Sequence, residues 1–327
     1  MSETLPRDDT IPQSLPEFLR RFGTDAKCER VLRRWRYPDG FRCPACGHDE
    51  SWFLAGRRLD ECRGCARQVS LTAGTVMHGS RTPLTKWFLA MYLFVSSKQG
   101  ISGWDLARQV GVSYPTAWLW LHKLRSALGG RTTELLQGVV EVDETYEVGV
   151  RAGSGGGRPS VSEKASLIVG AIEVPTGRKG FGRLRLASLD AATGEQIGGF
   201  LADHVAPGST LLTDGFRSYR TAEIGTAYDH VPVAVARSGR KAHECLPGIH
   251  RVFALLDRVL KGTHQGAVRR KHLRAYLEEF AFRFNRRAAK SRALLFQRVL
   301  SAGVLRASPT YWDLVGRWNP RRSPEPT

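Results

Sequence analysis

Two aspartates, each at the end of an apolar segment, are the residues best suited to carry out chemistry. Val139-Val-Glu-Val leads into Asp143, and Ser209-Thr-Leu-Leu-Thr leads into Asp214. Runs of this composition predict strands. If these strands are neighbours in a sheet, their carboxylates repel each other unless a divalent cation lies between them. Oxygen ligands favour Mg2+ or Mn2+, and paired metals stabilise the attacking and leaving oxygens of a phosphoryl transfer.

A helix N-cap is the alternative role for both aspartates, because Asp often caps a helix that follows a strand. Three nearby glutamates, Glu141, Glu144 and Glu147, are expected to contact the metal-binding residues without binding the metal, or to be solvated. We predict that Asp143 and Asp214 are catalytic and hold Mg2+ or Mn2+.

Four cysteines form two pairs, Cys43-Pro-Ala-Cys46 and Cys62-Arg-Gly-Cys65, with fifteen residues between the pairs. This spacing is typical of a structural Zn2+ site, in which two tight loops supply four thiolates. A closed four-thiolate shell leaves no position for a substrate, so this metal would stabilise the fold and take no part in chemistry. The alternative, four unrelated buried cysteines, is improbable at this spacing.

Net charge indicates the class of partner. The chain of 327 residues carries a net charge of +18, distributed as +7 over residues 1–130, −1 over 131–240 and +12 over 241–327. Basic arms around a near-neutral centre predict a polyanionic partner, most often nucleic acid. Neither a membrane span nor a signal peptide is expected from the sequence. Thiolate ligands need a reducing compartment, which indicates the cytoplasm.

The first 130 residues contain helical and β-rich segments. Helices are predicted over 14–36 and from Lys86 to Ser97, and a β ribbon over 40–77. Residues 102–110 and 113–128, separated by Gly111, have the pattern of a helix-turn-helix, whose second helix would present Tyr114, Thr116 and Trp118 to a DNA groove. The alternative is an ordinary pair of antiparallel helices.

Residues 131–290 follow the order βββ-α-β-α-β-α, which is that of an RNase H-like α/β domain. Gly129-Gly130 is expected to be a hinge, and the apolar-free block Gly153–Ser160 a loop. The predicted fold class is therefore α/β, with an RNase H-like catalytic domain preceded by a small zinc ribbon and a helix-turn-helix. The predicted domains are 14–78 (helices and zinc ribbon), 79–130 (helix-turn-helix region), 131–290 (catalytic) and 291–327 (basic tail).

Together these segments resemble a bacterial insertion-sequence transposase of the ISXO-like group, a family with a zinc ribbon ahead of a DDE-type domain. The resemblance runs over most of residues 14–300. The segments that carry it are Cys43–Cys65, Leu71-Thr-Ala-Gly-Thr-Val-Met-His, Lys86-Trp-Phe-Leu-Ala, Gly100–Leu124, Val140-Glu-Val-Asp-Glu-Thr-Tyr, Thr213-Asp-Gly-Phe-Arg-Ser-Tyr, Gly262-Thr-His-Gln-Gly and Phe280-Ala-Phe-Arg-Phe-Asn-Arg-Arg.

The resemblance implies that Asp143 and Asp214 are the first two metal carboxylates and that the third catalytic position is His250. Relatives carry Glu, Asn or His there, often followed seven residues later by Lys. Here that later position is Asp257, a departure that puts full activity in question, and Lys261 lies one turn further on. Histidine ligates Mn2+ more readily than Mg2+, so His250 either binds metal or orients water or phosphate.

The function implied is that of a DNA transposase that binds terminal inverted repeats, cleaves 3′ ends and joins them to target DNA. A homo-oligomer on double-stranded DNA is expected, in the bacterial cytoplasm at the nucleoid. Two alternatives remain: a catalytically impaired, transposase-derived DNA-binding protein, and a metal-dependent DNA nuclease. Arg283 and its neighbours Phe284 and Asn285 equally suit helix packing. The predicted DNA-binding residues are Tyr114, Thr116, Lys261, Arg269, Arg270, Lys271, Arg283 and Arg286.

Overall fold

In the computed structural model the chain forms two units, residues 1–128 with 289–327, and residues 129–288. The structure describes residues 12, 14–129, 134–147, 166–175, 177, 180–233, 242–289, 292–306 and 309–316. The predicted loop Gly153–Ser160 lies outside these residues.

The first unit begins with helices and a small sheet. Ser14 and Thr24 cap the first two helices with their side-chain oxygens. The sheet is antiparallel in the order β1-β2-β3. The elements are α1 (Leu15–Phe22), α2 (Asp25–Arg36), β1 (Ser51–Leu54), β2 (Leu59–Cys62), β3 (Gln68–Ser70), α3 (Leu84–Ser96), α4 (Gly103–Val110) and α5 (Tyr114–Leu128).

Helices α4 and α5 form the helix-turn-helix. Ser102 accepts a hydrogen bond from the backbone N–H of Asp105 and so caps α4. Gly111 ends that helix at φ 68°, a left-handed conformation that glycine adopts without steric cost. Leu106 and Leu121 are buried on the two helices. The turn and the apolar face correspond to those predicted from the sequence.

The second unit contains a five-stranded sheet of order β6-β5-β4-β7-β8. β4 pairs antiparallel with β5 and parallel with β7, and β7 pairs parallel with β8. This mixed order, with three antiparallel strands joined to a parallel portion, is RNase H-like. The strands are β4 (Val139–Glu147), β5 (Ser166–Glu173), β6 (Leu184–Leu189), β7 (Thr210–Thr213) and β8 (Asp229–Pro232).

Helices cover both faces of this sheet. One face packs Val140 and Val142 against the helices that follow β6 and β7, and the other packs Ile168 and Ile172 against the helices after β8. The helix that begins at Pro247 is α-helical to Arg258 and continues as a π-helix, Val259–Thr263. The helices are α6 (Gly194–His204), α7 (Ala222–Ala227), α8 (Ala242–Cys245), α9 (Pro247–Arg258) and α10 (Arg270–Asn285), with a 3-10 turn at Arg217–Tyr219.

Two further helices belong to the first unit, α11 (Arg292–Leu305) and α12 (Tyr311–Val315). The Phe296 ring on α11 lies 5.5 Å from the rings of both Phe18 and Phe22. Val76 N–H donates to the Gly303 carbonyl at 2.8 Å. Residues 292–305, predicted to be part of a basic tail, instead form a helix whose Phe296 ring packs in the aromatic core of the N-terminal helices.

Candidate active site and zinc site

The four predicted zinc ligands converge at one end of the β1-β2-β3 sheet. Their sulfur atoms all lie within 4.8 Å of one another. Cys43 Sγ lies 3.6 Å from Cys65 Sγ, and Cys46 Sγ lies 3.5 Å from Cys62 Sγ. A tetrahedron with Zn–S bonds of about 2.3 Å has edges of about 3.8 Å. The thiols are therefore already spaced for one Zn2+.

Electrostatics also favour a cation here. Backbone N–H groups of Cys46 and Ala45 lower the pKa of the Cys43 thiol to about 6. The backbone N–H of His48 favours the Cys46 thiolate, but the neighbouring Cys65 and Cys62 thiols oppose it and raise the Cys46 pKa to about 12. Four thiolates at this spacing repel one another, so a divalent cation is needed to ionise them together.

Arginine–carboxylate pairs tie the ribbon to α2. Arg33 donates to both carboxylate oxygens of Asp60, at 2.8 and 3.0 Å, and Asp60 is 1% exposed. Arg58 bridges Asp25 and Glu29 of the same helix, at 3.1 and 2.8 Å. An ion pair with a buried carboxylate thus anchors the ribbon to α2.

Strands β4 and β7 bring the two catalytic candidates side by side. Their parallel register pairs Glu141 with Leu212. Continued by two residues, it places Asp143 opposite Asp214, which directly follows β7. Neighbouring strands lie about 4.8 Å apart. The sheet order makes β4 and β7 neighbours, which is the condition for a cation between their aspartates. Asp143 lies in the middle of β4, which continues to Glu147, whereas Asp214 directly follows β7.

Each aspartate has one carboxylate oxygen held by a backbone donor. Glu144 N–H donates to Asp143 Oδ1 at 2.8 Å, and Phe216 N–H donates to Asp214 Oδ1 at 2.9 Å. The chain turns at once after Asp214, because Gly215 adopts φ 78°. Asp214 therefore lies in a tight turn, and its side chain does not cap the 3-10 turn that follows.

His250, the third candidate, lies in the first turns of α9 beside Asp143. Its Nε2 is 3.4 Å from Asp143 Oδ2, and its side chain is 29% exposed. The neighbouring residue Ile249 donates its backbone N–H to Glu141 Oε2 at 2.8 Å. Burial raises the pKa of Glu141, while the backbone N–H groups of Ile249 and Gly248 act in the opposite direction. Glu141 is therefore buried against α9.

Tyr219 is a residue that the sequence analysis missed. It is fully buried, and its hydroxyl is enclosed beside the Glu144 carboxylate in less than ideal hydrogen-bond geometry. Burial, followed by the charges of Glu144, Asp143 and Asp214, raises its pKa well above the ordinary value. The charges of three carboxylates thus act on one buried hydroxyl. Its place in the segment after Asp214 was the available sequence signal.

Asp257 occupies the position at which the family resemblance implies Lys. Asp257 forms an ion pair with Lys261, one turn on at the π-helix. Both side chains are partly exposed, at 39% and 65%. The Asp257 charge is therefore balanced within the same helix.

The helix-turn-helix exposes an aromatic pair. Tyr114 stacks on Trp104 with ring centroids 4.6 Å apart, and Trp104 is 62% exposed. Thr116 Oγ1 lies 2.9 Å from Ser113 Oγ, the cap of α5. Of the predicted groove residues, Tyr114 is open to a partner and Thr116 is partly used in capping.

The basic residues at the start of α10 are exposed. Arg270 pairs with Asp190, whereas Arg269 and Lys271 form no ion pair within the described part of the chain. Arg269 and Lys271 therefore have cationic groups available to a phosphate.

Two other predicted DNA-binding residues lie further along α10 and after it, and are engaged internally. Arg283 and Glu279 form an ion pair at 2.5 Å, with side chains only 13% and 5% exposed. The Arg286 guanidinium lies 4.2 Å from the Phe282 ring centroid and donates to the Phe282 carbonyl. Their observed contacts are those of helix packing, the alternative that the sequence left open for Arg283.

A further contact ties the end of α10 to the sheet. Asn285 Oδ1 accepts from Leu184 N–H at 2.7 Å, and Asn285 Nδ2 donates to the Leu184 carbonyl at 3.0 Å. Since β6 is an edge strand, Asn285 satisfies backbone groups that an edge leaves unpaired.

Comparison with known proteins agrees with this architecture. By strand order, residues 129–288 belong to the RNase H-like class, here with a zinc ribbon preceding it. Residues 135–285 match the ISXO2-like transposase domain, and residues 23–68 match the transposase zinc-ribbon domain. The two matches together cover more than half of the chain, and residues 135–285 form a domain of the ISXO2-like transposase family.

One relative lies within a mobile element. The chain is 29% identical over 214 residues to an uncharacterized protein in transposable element ISH50 of Halobacterium salinarum, covering 62% of this chain and 71% of that protein.

Two solved structures of Mos1 transposase are also similar. The paired-end complex with the left transposon end has a TM-score of 0.25 at 11% identity, covering 66% of this chain and 78% of that one. The pre-cleavage Mos1 transpososome has a TM-score of 0.29 at 12% identity, covering 70% and 78%.

Among the residues that the structure describes, the four cysteines are the one cluster of three or more potential metal ligands. None of the described helices has the length and apolar character to cross a membrane.

We predict one Zn2+ per chain, lost in Cys62→Ser because a tetrahedral thiolate shell needs all four ligands. Elemental analysis of purified protein measures the metal, and limited proteolysis should detect new cleavage within residues 40–77. Cys245→Ser, which changes a cysteine outside the cluster, is the matched control and should retain zinc. Wild-type protein without stoichiometric zinc would contradict the assignment.

Proposed function

We propose that this protein is a DNA transposase that binds the terminal inverted repeats of its element, cleaves their 3′ ends and joins them to target DNA. The observation that carries the proposal is the register of two adjacent strands, which places Asp143 in the middle of β4 opposite Asp214 just after β7, within a domain of the ISXO2-like transposase family. Water is the nucleophile for cleavage, and the freed 3′-hydroxyl is the nucleophile for joining.

Asp143 and Asp214 are the residues that would hold catalytic Mg2+ or Mn2+. The donor set fits hard cations, because two carboxylates lie side by side and each is oriented by one backbone N–H. The bound cations would activate the oxygen nucleophile and stabilise the leaving oxygen. The backbone donors hold the carboxylates in place, so little reorganisation is needed when the metal and DNA arrive.

His250 acts from the α9 side of the same carboxylates. Its Nε2 is close enough to Asp143 Oδ2 to orient that carboxylate, and its partial exposure lets it reach water or a phosphate oxygen. We assign His250 as the third catalytic residue. Whether it ligates the metal directly depends on the cation, since imidazole suits Mn2+ better than Mg2+.

DNA contacts are proposed on both units. Tyr114 and Thr116 of the helix-turn-helix would contact the inverted repeat, and Arg269, Arg270, Lys271 and Lys261 would contact phosphates. Of the residues predicted to bind DNA, Arg283 and Arg286 have the least structural support, because their guanidinium groups are engaged within the protein. A cytoplasmic, nucleoid-bound homo-oligomer on double-stranded DNA is part of this proposal.

Two other functions can be separated from transposition by experiment. A nuclease without strand transfer would cut a terminal-repeat duplex yet leave it unjoined to a supercoiled target. An inactive DNA-binding protein would bind the repeat and do neither. Asp257 in place of Lys is the observation that favours the latter, and the pairing of Asp143 with Asp214 opposes it.

Asp143→Ala and Asp214→Ala should each reduce end cleavage by about 1,000-fold or more, because several kcal/mol of metal-dependent stabilisation is lost. Specific binding to the repeat should persist, since the helix-turn-helix is unchanged. Cleavage of a labelled duplex in Mg2+, and separately in Mn2+, measures the first effect, and gel shift measures the second. Asp229→Asn, an exposed aspartate on β8, is the control. Robust cleavage by the Asp143→Ala protein would remove this site from the mechanism.

Replacing Asp257 tests the departure from the family pattern. Asp257→Lys should remove a negative charge near the bound phosphate and raise strand transfer modestly, because a partly exposed charge contact is worth about 1 kcal/mol or less. Asp257→Asn removes the ion pair with Lys261 but adds no cation, so comparing the two variants separates these two effects. Strand-transfer rates at fixed DNA concentration provide the measurement. Unchanged rates in both variants would show that Asp257 lies away from the DNA path.

Salt dependence tests the exposed cations on and before α10. Arg269→Ala combined with Lys271→Ala should lower the slope of log K against log salt concentration by about 2, since each lost phosphate contact releases about one counterion fewer. Arg274→Ala on the same helix is the matched control, because that arginine already pairs with Glu278 at 3.0 Å. Equal changes of slope in the two proteins would contradict the assigned phosphate contacts.

A further inference from the structure

A buried carboxylate, Glu141, lies next to the candidate catalytic residues and makes a contact that the sequence did not predict. Glu141 is 2% exposed and lies on β4, two residues before Asp143. Alternate residues of a strand share a face, so Glu141 and Asp143 both face α9. A buried carboxylate is costly unless its hydrogen bonds are satisfied. Here the first turn of α9 supplies a hydrogen-bond donor to the Glu141 carboxylate.

Helix α9 lacks a capping side chain of its own. It begins after Leu246, which makes no side-chain cap hydrogen bond, and Pro247 occupies its first turn. Glu141 Oε2 instead accepts the Ile249 N–H at 2.8 Å from 108 residues away in the chain. This bond satisfies one of the N–H groups that a helix start leaves unpaired. The capping group of α9 thus comes from the catalytic strand.

The fit between Glu141 and α9 is close. A methyl group at Gly248 would lie 2.9 Å from Glu141 Oε2 and 2.8 Å from Phe181 Cε1. The helix start therefore approaches the carboxylate more closely than any residue with a side chain would allow. His250 follows Ile249 directly, so the anchored residue and the catalytic candidate are adjacent in sequence.

We propose that Glu141 is a positioning residue that caps α9 and thereby fixes His250 against Asp143. The inference rests on the proposed function, because His250 must act in the reaction for its placement to matter. One side chain on β4 sets the separation of two groups on different elements, the His250 ring and the Asp143 carboxylate. Residues that orient metal-binding or catalytic groups typically affect activity by about 10- to 100-fold.

A purely stabilising role for Glu141 is the competing explanation. Two measurements separate the roles. Glu141→Gln keeps the acceptor oxygen and should retain activity within about threefold, while Glu141→Ala should reduce the cleavage rate at saturating DNA by about 10- to 100-fold with DNA affinity unchanged. In a His250→Ala background, Glu141→Ala should have little further effect, because residues acting through one another are not additive.

Glu173→Ala is the matched control. Glu173 lies on the adjacent strand β5, is mostly buried, and is held by Arg183 and by the Gln137 N–H. Its loss should change the rate by the same factor with and without His250. If Glu141→Ala behaves as this control does, or cleaves at the wild-type rate, the positioning role is overturned.

Hydrogen exchange gives a readout that does not depend on activity. In Glu141→Ala the amides of residues 248–251 should exchange about tenfold faster or more, with those of the β5 strand unchanged, and Glu141→Gln should preserve protection. If the wild-type protein does not cleave DNA but the two variants still show this exchange pattern, the proposed function fails while the capping role stands. Unchanged exchange at residues 248–251 overturns the capping role itself.

Discussion

The parallel pairing of β4 with β7 is the constraint on which the rest of the site depends. A sheet alternates its side chains, so a shift of one residue would turn Asp143 to the opposite face. The long antiparallel ladder from Val140–Glu173 to Glu147–Ser166 fixes β4 on its other side. With β4 held in this way, the short strand β7 needs only a few paired residues to deliver Asp214 beside Asp143. At Gly215 the chain then turns away from the strand, and Asp214 stays partly exposed.

Acidic groups are anchored on both faces of β4, which concentrates negative charge at one end of the sheet. Glu141 meets the start of α9 on one face, and Glu144 meets the Tyr219 hydroxyl on the other. Burying so many carboxylates costs stability unless each is hydrogen-bonded or a cation is bound. Local conflict of this kind is common at functional sites, where stability is given up for charge placement. The proposed cation-binding function would account for the arrangement, whereas a purely structural sheet would place apolar residues at these positions.

The elements and the central carboxylates could be predicted because their signals are local. The cysteine spacing, the apolar runs before Asp143 and Asp214, and the helix break at Gly111 each lie within a few residues of what they determine. Contacts between distant segments could not be foreseen. Nothing near Glu141 indicates that its partner is Ile249, and nothing in residues 292–305 indicates that Phe296 packs between Phe18 and Phe22. Tyr219 was missed for the same reason, because an enclosed hydroxyl is recognised only from its surroundings.

Formal charge is a poor measure of the cations available to DNA, and the C-terminal region shows why. Its net charge of +12 counts every arginine equally. In the folded protein Arg283 is committed to Glu279, and Arg287 donates to the carbonyls of Phe181 and Gly182 near the edge strand β6. Such arginines stabilise the domain and release no counterions on binding. Phosphate affinity depends instead on exposed cations such as Lys271, which forms no ion pair with the described residues, so the electrostatic surface of this protein is set by packing as much as by composition.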